Sequence, residues 1–223
     1  MCAGASTYEA LCAAGIQRGE SNVAIIGLGG LGHMACLMAR EMGAAGVSIW
    51  FGRKPSGEKI GHALKLADAA FDITGAVPLR CVGADQAEEF REGDDGDVDF
   101  CEGDKADILI VCGNDLPDWK RVLPLLQRRA TIVLMSIVAG GELKMPYMDF
   151  ILPGHRIIAS TECRKDRFEE MLQAVTKPLQ HSAFQPMIEE FPMTEEGLEE
   201  AFGKLERGEM RFRGVLTVPE GGI

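Results

Sequence analysis

The stretch "VAIIGLGGLGHMA", residues 23–35, restricts the possible folds more than any other part of the chain. A β-branched run breaks at Gly27-x-Gly29-x-x-Gly32 and then resumes with helical spacing. In a strand-to-helix turn the first such glycine permits the tight turn. The second lets the backbone approach a pyrophosphate, and the third lets the helix pack closely on the strand. Amides opening the helix then face the anion. The bare motif is a weak signal because glycines are common. Here it follows a strand, opens a helix and sits in a β-α-β unit of suitable length, which favours a dinucleotide loop over a merely structural turn.

Strands and helices alternate on either side of that loop. Residues 22–26 read as a strand and 31–42 as a helix, with Leu31, Ala35, Met38 and Met42 on one stripe. A strand over 47–51, a helix over 58–66 and a short strand over 71–73 follow. "ADILIVC" and "TIVLMSIV" are continuous apolar runs of the kind buried on both faces of a sheet, and 119–127 between them reads as a helix. A Pro-Gly break in "ILPGHRIIAST" precedes one more strand. Helices over 167–174 and 195–205 come next, Thr194 capping the second with Glu195 and Glu196 in its first turn, and "RFRGVLTV" closes as a strand. The pattern predicts an α/β fold, a doubly wound parallel sheet of Rossmann type.

Charge and cysteine usage narrow the context. The formal charge of −11 disfavours nucleic acid, and most of it lies between Asp85 and Asp107, where eleven acids face two bases. That segment reads as a solvated loop rather than an acidic docking site or a carboxylate metal site. It lacks the terminal Glu and central Gly of a calcium loop. No run approaches the roughly 20 apolar residues of a membrane span, and the first residues lack the layout of a signal peptide. The seven cysteines are scattered, with no C-x-x-C pair, and read as reduced thiols packed as small hydrophobes. A cytoplasmic protein without membrane or nucleic-acid partners is expected.

The end of the second strand selects the nucleotide. A free ribose 2′-hydroxyl is met there by Asp or Glu, whereas a 2′-phosphate needs that acid absent and bases nearby. The sequence reads "WFGRKPSGEK": Phe51, Gly52, Arg53 and Lys54 fill the window and Glu58 comes late. Arg53, Lys54, Ser56 and Lys59 would surround a phosphate, Arg being the bidentate donor. NADP is therefore expected ahead of NAD, against the alternative of ordinary solvated bases on a loop.

Four segments, "MCAGASTYEAL", "VAIIGLGGLGHMACLMAREMGA", "KMPYMDFILPGHRIIAS" and "EEAFGKLERGEMRFRGVL", together resemble the zinc-dependent medium-chain alcohol dehydrogenases, most closely the cinnamyl-alcohol-dehydrogenase-like, NADP-preferring branch. The resemblance spans nearly the whole chain except the acidic loop. It implies that Gly27, Leu28, Gly29, Gly30, Leu31 and Gly32 hold a pyrophosphate, and that Arg53, Ser56 and Lys59 flank the 2′-phosphate. It also implies that Ser6 and Ser136 lie beside the nicotinamide, that Arg213 reaches the cofactor phosphates, and that Cys2 matches one ligand of the catalytic zinc. A homodimer joined through the strand near Ile151 to Ile158 is implied too.

The departures from that family matter as much. Its barrel-like catalytic domain, which supplies the other zinc ligands, has no counterpart here. His33, His62, His155 and His181 are isolated in sequence, so zinc is not expected on this chain. Ala67-Asp68-Ala69 replaces a common Gly-Ala-Asp, and Gly113-Asn114-Asp115 sets an acid at the turn where neutral residues approach the cofactor. The expected organisation is a connection to the catalytic domain over 1–19, a dinucleotide-binding domain over 20–160, and over 161–223 the helices and strand that rejoin the missing part. In a truncated chain Phe168, Met171, Leu172, Phe202 and Leu205 would be left partly uncovered. Two functional classes follow: the cofactor-binding portion of an NADP(H)-dependent alcohol or aldehyde oxidoreductase, inactive alone, or a non-catalytic NADP(H)-binding protein. A zinc-free quinone-reductase-like enzyme is the further enzymatic alternative.

Overall fold

Apolar side chains on alternate residues of the central strands point to opposite faces, and both faces are covered. In β1 (Asn22–Ile26), Val23 and Ile25 belong to one buried cluster, Ala24 and Ile26 to the other. In β5 (Ala106–Val111), Ile108 and Ile110 divide from Leu109 and Val111 in the same way. This period of two with burial on both sides marks the centre of a parallel sheet. The computed structural model describes residues 2–75, 78–81, 100, 102–176 and 184–218.

The remaining elements, in chain order, are α1 (Cys2–Ala14), α2 (Gly30–Glu41), β2 (Gly46–Phe51), α3 (Gly57–Leu66), β3 (Ala69–Asp72) and β4 (Leu79–Arg80). After β5 come α4 (Trp119–Val122), β6 (Leu126–Leu134), α5 (Tyr147–Ile151), β7 (Arg156–Ala159), α6 (Lys165–Thr176), β8 (Glu189–Pro192), α7 (Glu195–Glu206) and β9 (Gly214–Thr217). Seven strands form one sheet in the order β4-β3-β2-β1-β5-β6-β7, parallel throughout except for the β3–β4 edge pair. The chain winds outward from β1 in one direction, then returns to β5 on its other side. That reversal opens a crevice at the carboxyl ends of β1 and β5. Strands β8 and β9 pair in parallel as a small separate sheet. The predicted α/β, doubly wound fold is the observed one.

Particular elements differ from the sequence reading. The segment 119–127 is not one helix: α4 ends at Val122, a 3-10 turn over Leu123–Leu125 follows, and β6 starts at Leu126. Pro124 explains the break, because it has no N–H to donate and its ring crowds the preceding turn. β6 begins before residue 131 and ends at Leu134, leaving 135–138 outside it. Helix α1, which the sequence reading treated only as a connection, packs on α2 and α6. Its Ala3, Ala5, Ala10, Leu11 and Ala14 are buried. Short α5, β4 and β8 also escaped the sequence pattern. The terminal strand is confined to β9 because Phe212 sits at φ 53°, outside extended backbone.

Corner contacts fix the sheet. Asp68, in the altered Ala-Asp-Ala segment, accepts from the Val47 amide at 2.8 Å and pairs with Arg40 at 2.6 Å. Asp107 is no loop acid: its carboxylate accepts from the Asn22 amide at 2.9 Å, joining β1 to β5. Residues 85–99 and 101 of the acidic segment lie outside the described residues, as does His181. Of the apolar residues expected to be uncovered, Met171 is instead fully buried and Leu172 half-buried, because α6 seats on α1. Phe168, Phe202 and Leu205 are exposed as expected.

Candidate functional site

The turn after β1 is built from backbone that side chains would obstruct. Gly27 takes φ 98°, and a Cβ there would lie 2.5 Å from the Gly113 nitrogen. A Cβ on Gly32 would lie 1.8 Å from the Gly27 carbonyl oxygen. The first position therefore lets two crevice loops touch, and the last lets α2 close on β1. Gly29 faces open space, with nothing within 4 Å of a built Cβ. It is also the N-cap of α2, and no side chain caps that helix. The first amides of a 12-residue helix are thus left for an outside acceptor.

The turn that leads into this helix borders a cavity of about 720 Å³ at the carboxyl ends of β1, β2 and β5, within the range of nucleotide-sized sites. Gly27, Leu28 and Gly29 form one wall. Arg53, Lys54, Ser56 and Lys59, from the end of β2 and the start of α3, form another. Asn114 and Asp115 close the side after β5, and residues 208–212 form the remaining wall. Ser56 also has a structural task, since its hydroxyl accepts from the Lys59 amide at the N-terminus of α3. The Arg53 guanidinium pairs with Asp115 across the crevice, and Arg211 pairs with Glu58. Among the described residues, Lys54 and Lys59 form no ion pair.

Gly30, Leu31 and Gly32 form the first turn of α2 behind this wall. Arg213 stands over that turn, its Nη2 3.5 Å from the Cβ position of Gly30. His33 is buried, and its Nδ1–H donates to the Gly29 carbonyl at 3.1 Å, which places the proton on Nδ1. Burial lowers its pKa, and the Arg213 charge lowers it further. The Phe212 ring lies 5.0 Å from that of His33 and 5.5 Å from that of His62. Phe212, His62 and the 208–212 wall were missed by sequence reasoning, since nothing in their local pattern signals that a distant segment returns to the glycine turn.

The other expected site residues, Ser6, Ser136 and Cys2, do not line this cavity. Ser6 is buried in α1 and donates to the Thr161 carbonyl at 3.3 Å. Ser136 donates to the Val111 carbonyl at 3.2 Å, tying the chain beyond β6 to the end of β5. Cys2 is exposed at the first residue of α1. Among the described residues no group of three or more His, Cys, Asp or Glu comes together as a metal site. A catalytic zinc needs about three protein ligands with an open position, so this donor set does not fit one by itself. A dinucleotide does fit, on the uncapped α2 amides, the open face of Gly29 and the neighbouring bases. Cys36 and Cys112 are inert thiols, pushed up to about 12 by burial. Among the described residues no helix is long and apolar enough to cross a membrane.

Comparison with known proteins agrees with this geometry. The NADP-dependent alcohol dehydrogenase 6 of Saccharomyces cerevisiae is 28% identical over 221 residues, covering 97% of this chain and 53% of the yeast protein. An alcohol dehydrogenase of Geobacillus stearothermophilus is 27% identical over 221 residues, covering 99% and 57%. The chain thus spans about half the length of the curated relatives it matches. Among solved structures, a cinnamyl alcohol dehydrogenase of Sorghum bicolor superposes with TM-score 0.69 at 23% identity, over 96% of this chain and 53% of that one. The Helicobacter pylori CAD complexed with NADP(H) gives 0.67 at 24%, over 96% and 52%. These two likenesses show the fold. The family model for zinc-binding dehydrogenases matches residues 30–177, from the first turn of α2 to just beyond α6, and the chain belongs to that family.

Proposed function

We propose that the chain is the NADP(H)-binding portion of an oxidoreductase of the zinc alcohol dehydrogenase type, working on alcohols or aldehydes in the cytoplasm. The observation that carries this reading is the cavity between the uncapped N-terminus of α2 and the bases after β2. Gly27, Leu28 and Gly29, with the amides of Gly30, Leu31 and Gly32, hold the pyrophosphate. Arg53, Lys54, Ser56 and Lys59 bind the 2′-phosphate, and Arg213 adds charge over the helix start. Ser6 and Ser136 lie toward the nicotinamide. When bound, the cofactor supplies or accepts the hydride, and the protein contributes orientation and charge stabilisation. Metal-assisted polarisation of a carbonyl would need ligands beyond Cys2 and the other described donors.

The proposed organisation is a connecting segment over 1–19, a nucleotide domain over 20–160 and a rejoining segment over 161–223. The proposed branch is the cinnamyl-alcohol-dehydrogenase-like one, with two chains joined at the β7 edge. A second reading is an NADP(H)-binding protein without chemistry, which the same cavity would serve.

Calorimetric titration separates nucleotide binding from its absence. NADPH is expected to bind about tenfold or more tighter than NADH, because only the former carries the phosphate that Arg53 and the lysines can reach. Equal binding would remove the 2′-phosphate assignment, and binding of neither would reject the reading. Zinc content and alcohol oxidation on the same sample distinguish the enzyme from the binding protein.

A further inference from the structure

We propose that Asp115 sets the nucleotide selectivity of the cavity by holding Arg53 when no 2′-phosphate is bound. This inference rests on the NADP(H) reading. The two residues come from opposite lips of the crevice, Arg53 after β2 and Asp115 after β5, and both line the same cavity. Their ion pair spans its mouth. The nearby acids are engaged elsewhere: Glu58 with Arg211, and Asp118 with Arg121 at 3.3 Å. Asp115 is therefore the acid that Arg53 meets among the described residues.

Each edge of a guanidinium presents a planar fork that fits one carboxylate or one phosphate at a time, and Asp115 takes the Nη2 donor of Arg53. To take a 2′-phosphate, Arg53 leaves Asp115, and the freed carboxylate then stands beside the incoming negative charge. Both effects oppose NADPH. Neither acts on NADH, whose 2′-hydroxyl needs no guanidinium. The side chains are 84% and 63% exposed, so water screens the pair and its influence is a modest factor rather than an exclusion. Asp115 thus narrows the preference that Arg53, Lys54 and Lys59 create by weakening NADPH, with NADH binding left unchanged.

The test uses the full 223-residue chain with four probes: NADPH, NADH, adenosine 2′,5′-bisphosphate and AMP. Asp115→Asn keeps the shape and removes the charge. It should tighten NADPH and the bisphosphate by about three- to fivefold while leaving NADH and AMP within about twofold. In an Arg53→Ala background the same change should have a smaller effect on NADPH and the bisphosphate, because the competition has been removed and only the repulsion is left. Both positions are exposed, and a far-UV spectrum checks that each variant folds.

Unchanged NADPH affinity in Asp115→Asn, with NADPH still bound, overturns this proposal and leaves the NADP(H) reading intact. Weaker NADH binding in that variant also overturns it, since Asp115 would then be accepting from the ribose. Failure of both wild type and variant to bind any probe overturns the NADP(H) reading together with the proposal. NADPH binding by the variant alone supports it.

Discussion

Three acids show how one residue type takes different tasks from its surroundings. Asp68 and Asp107 accept backbone amides at strand starts and hold the sheet's corners, whereas Asp115 reaches across open space to a base. Sequence reading placed Asp115 at the cofactor turn but could not supply its partner, because the pairing residue lies on another crossover. The glycine turn was legible, since its spacing encodes local backbone demands. His33 was read only as an isolated histidine and is buried in α2 beside the turn.

Burial lowers the pKa of both His33 and His155 below their ordinary value of 6.5. The unfolded chain therefore takes up protons on these rings while the folded chain resists them. Stability is fully present above pH 6.5 and declines as pH falls below it, by at most about 1.4 kcal/mol per pH unit for one proton. Thermal melts from pH 7.5 to 5.5 should show a falling midpoint and a shallower slope in His33→Asn. An unchanged slope would contradict the burial argument.

At the level of elements, the long apolar runs were recognised as strands, though not with the bounds of β6, because a strand buried on both faces has few alternatives. Helix α1 was not, since its alanines and glycine give no polar stripe to set against an apolar one. The 119–127 segment failed for a different reason, as the helical spacing outweighed Pro124. The edge strand β7 is half open, and α5 with the Leu152 that follows it exposes Tyr147, Met148, Ile151 and Leu152. An exposed edge beside an apolar patch is a surface for pairing with a second copy. Sedimentation should show a dimer at micromolar concentration, and Leu152→Asp should weaken it by about tenfold or more. A monomer at tens of micromolar would remove the proposed interface.

Across the whole molecule, the cavity is assembled from segments far apart in the chain: the turn after β1, the loop after β2, the turn after β5 and residues 208–212. Sequence reading identified the first three and the switch point that unites them. The wall contributed by 208–212 depends on tertiary return of the chain and carried no local signature. Phe168 on α6, and Phe202 and Leu205 on α7, are exposed apolar residues separate in sequence from the glycine turn.

The most direct test of the central claim is amide hydrogen exchange of the chain with and without saturating NADPH. Residues 27–33, 53–59 and 208–213 should gain protection together, with little change at α5 and β7. Protection confined to other surfaces, or none at the glycine turn, would contradict a nucleotide seated on the N-terminus of α2.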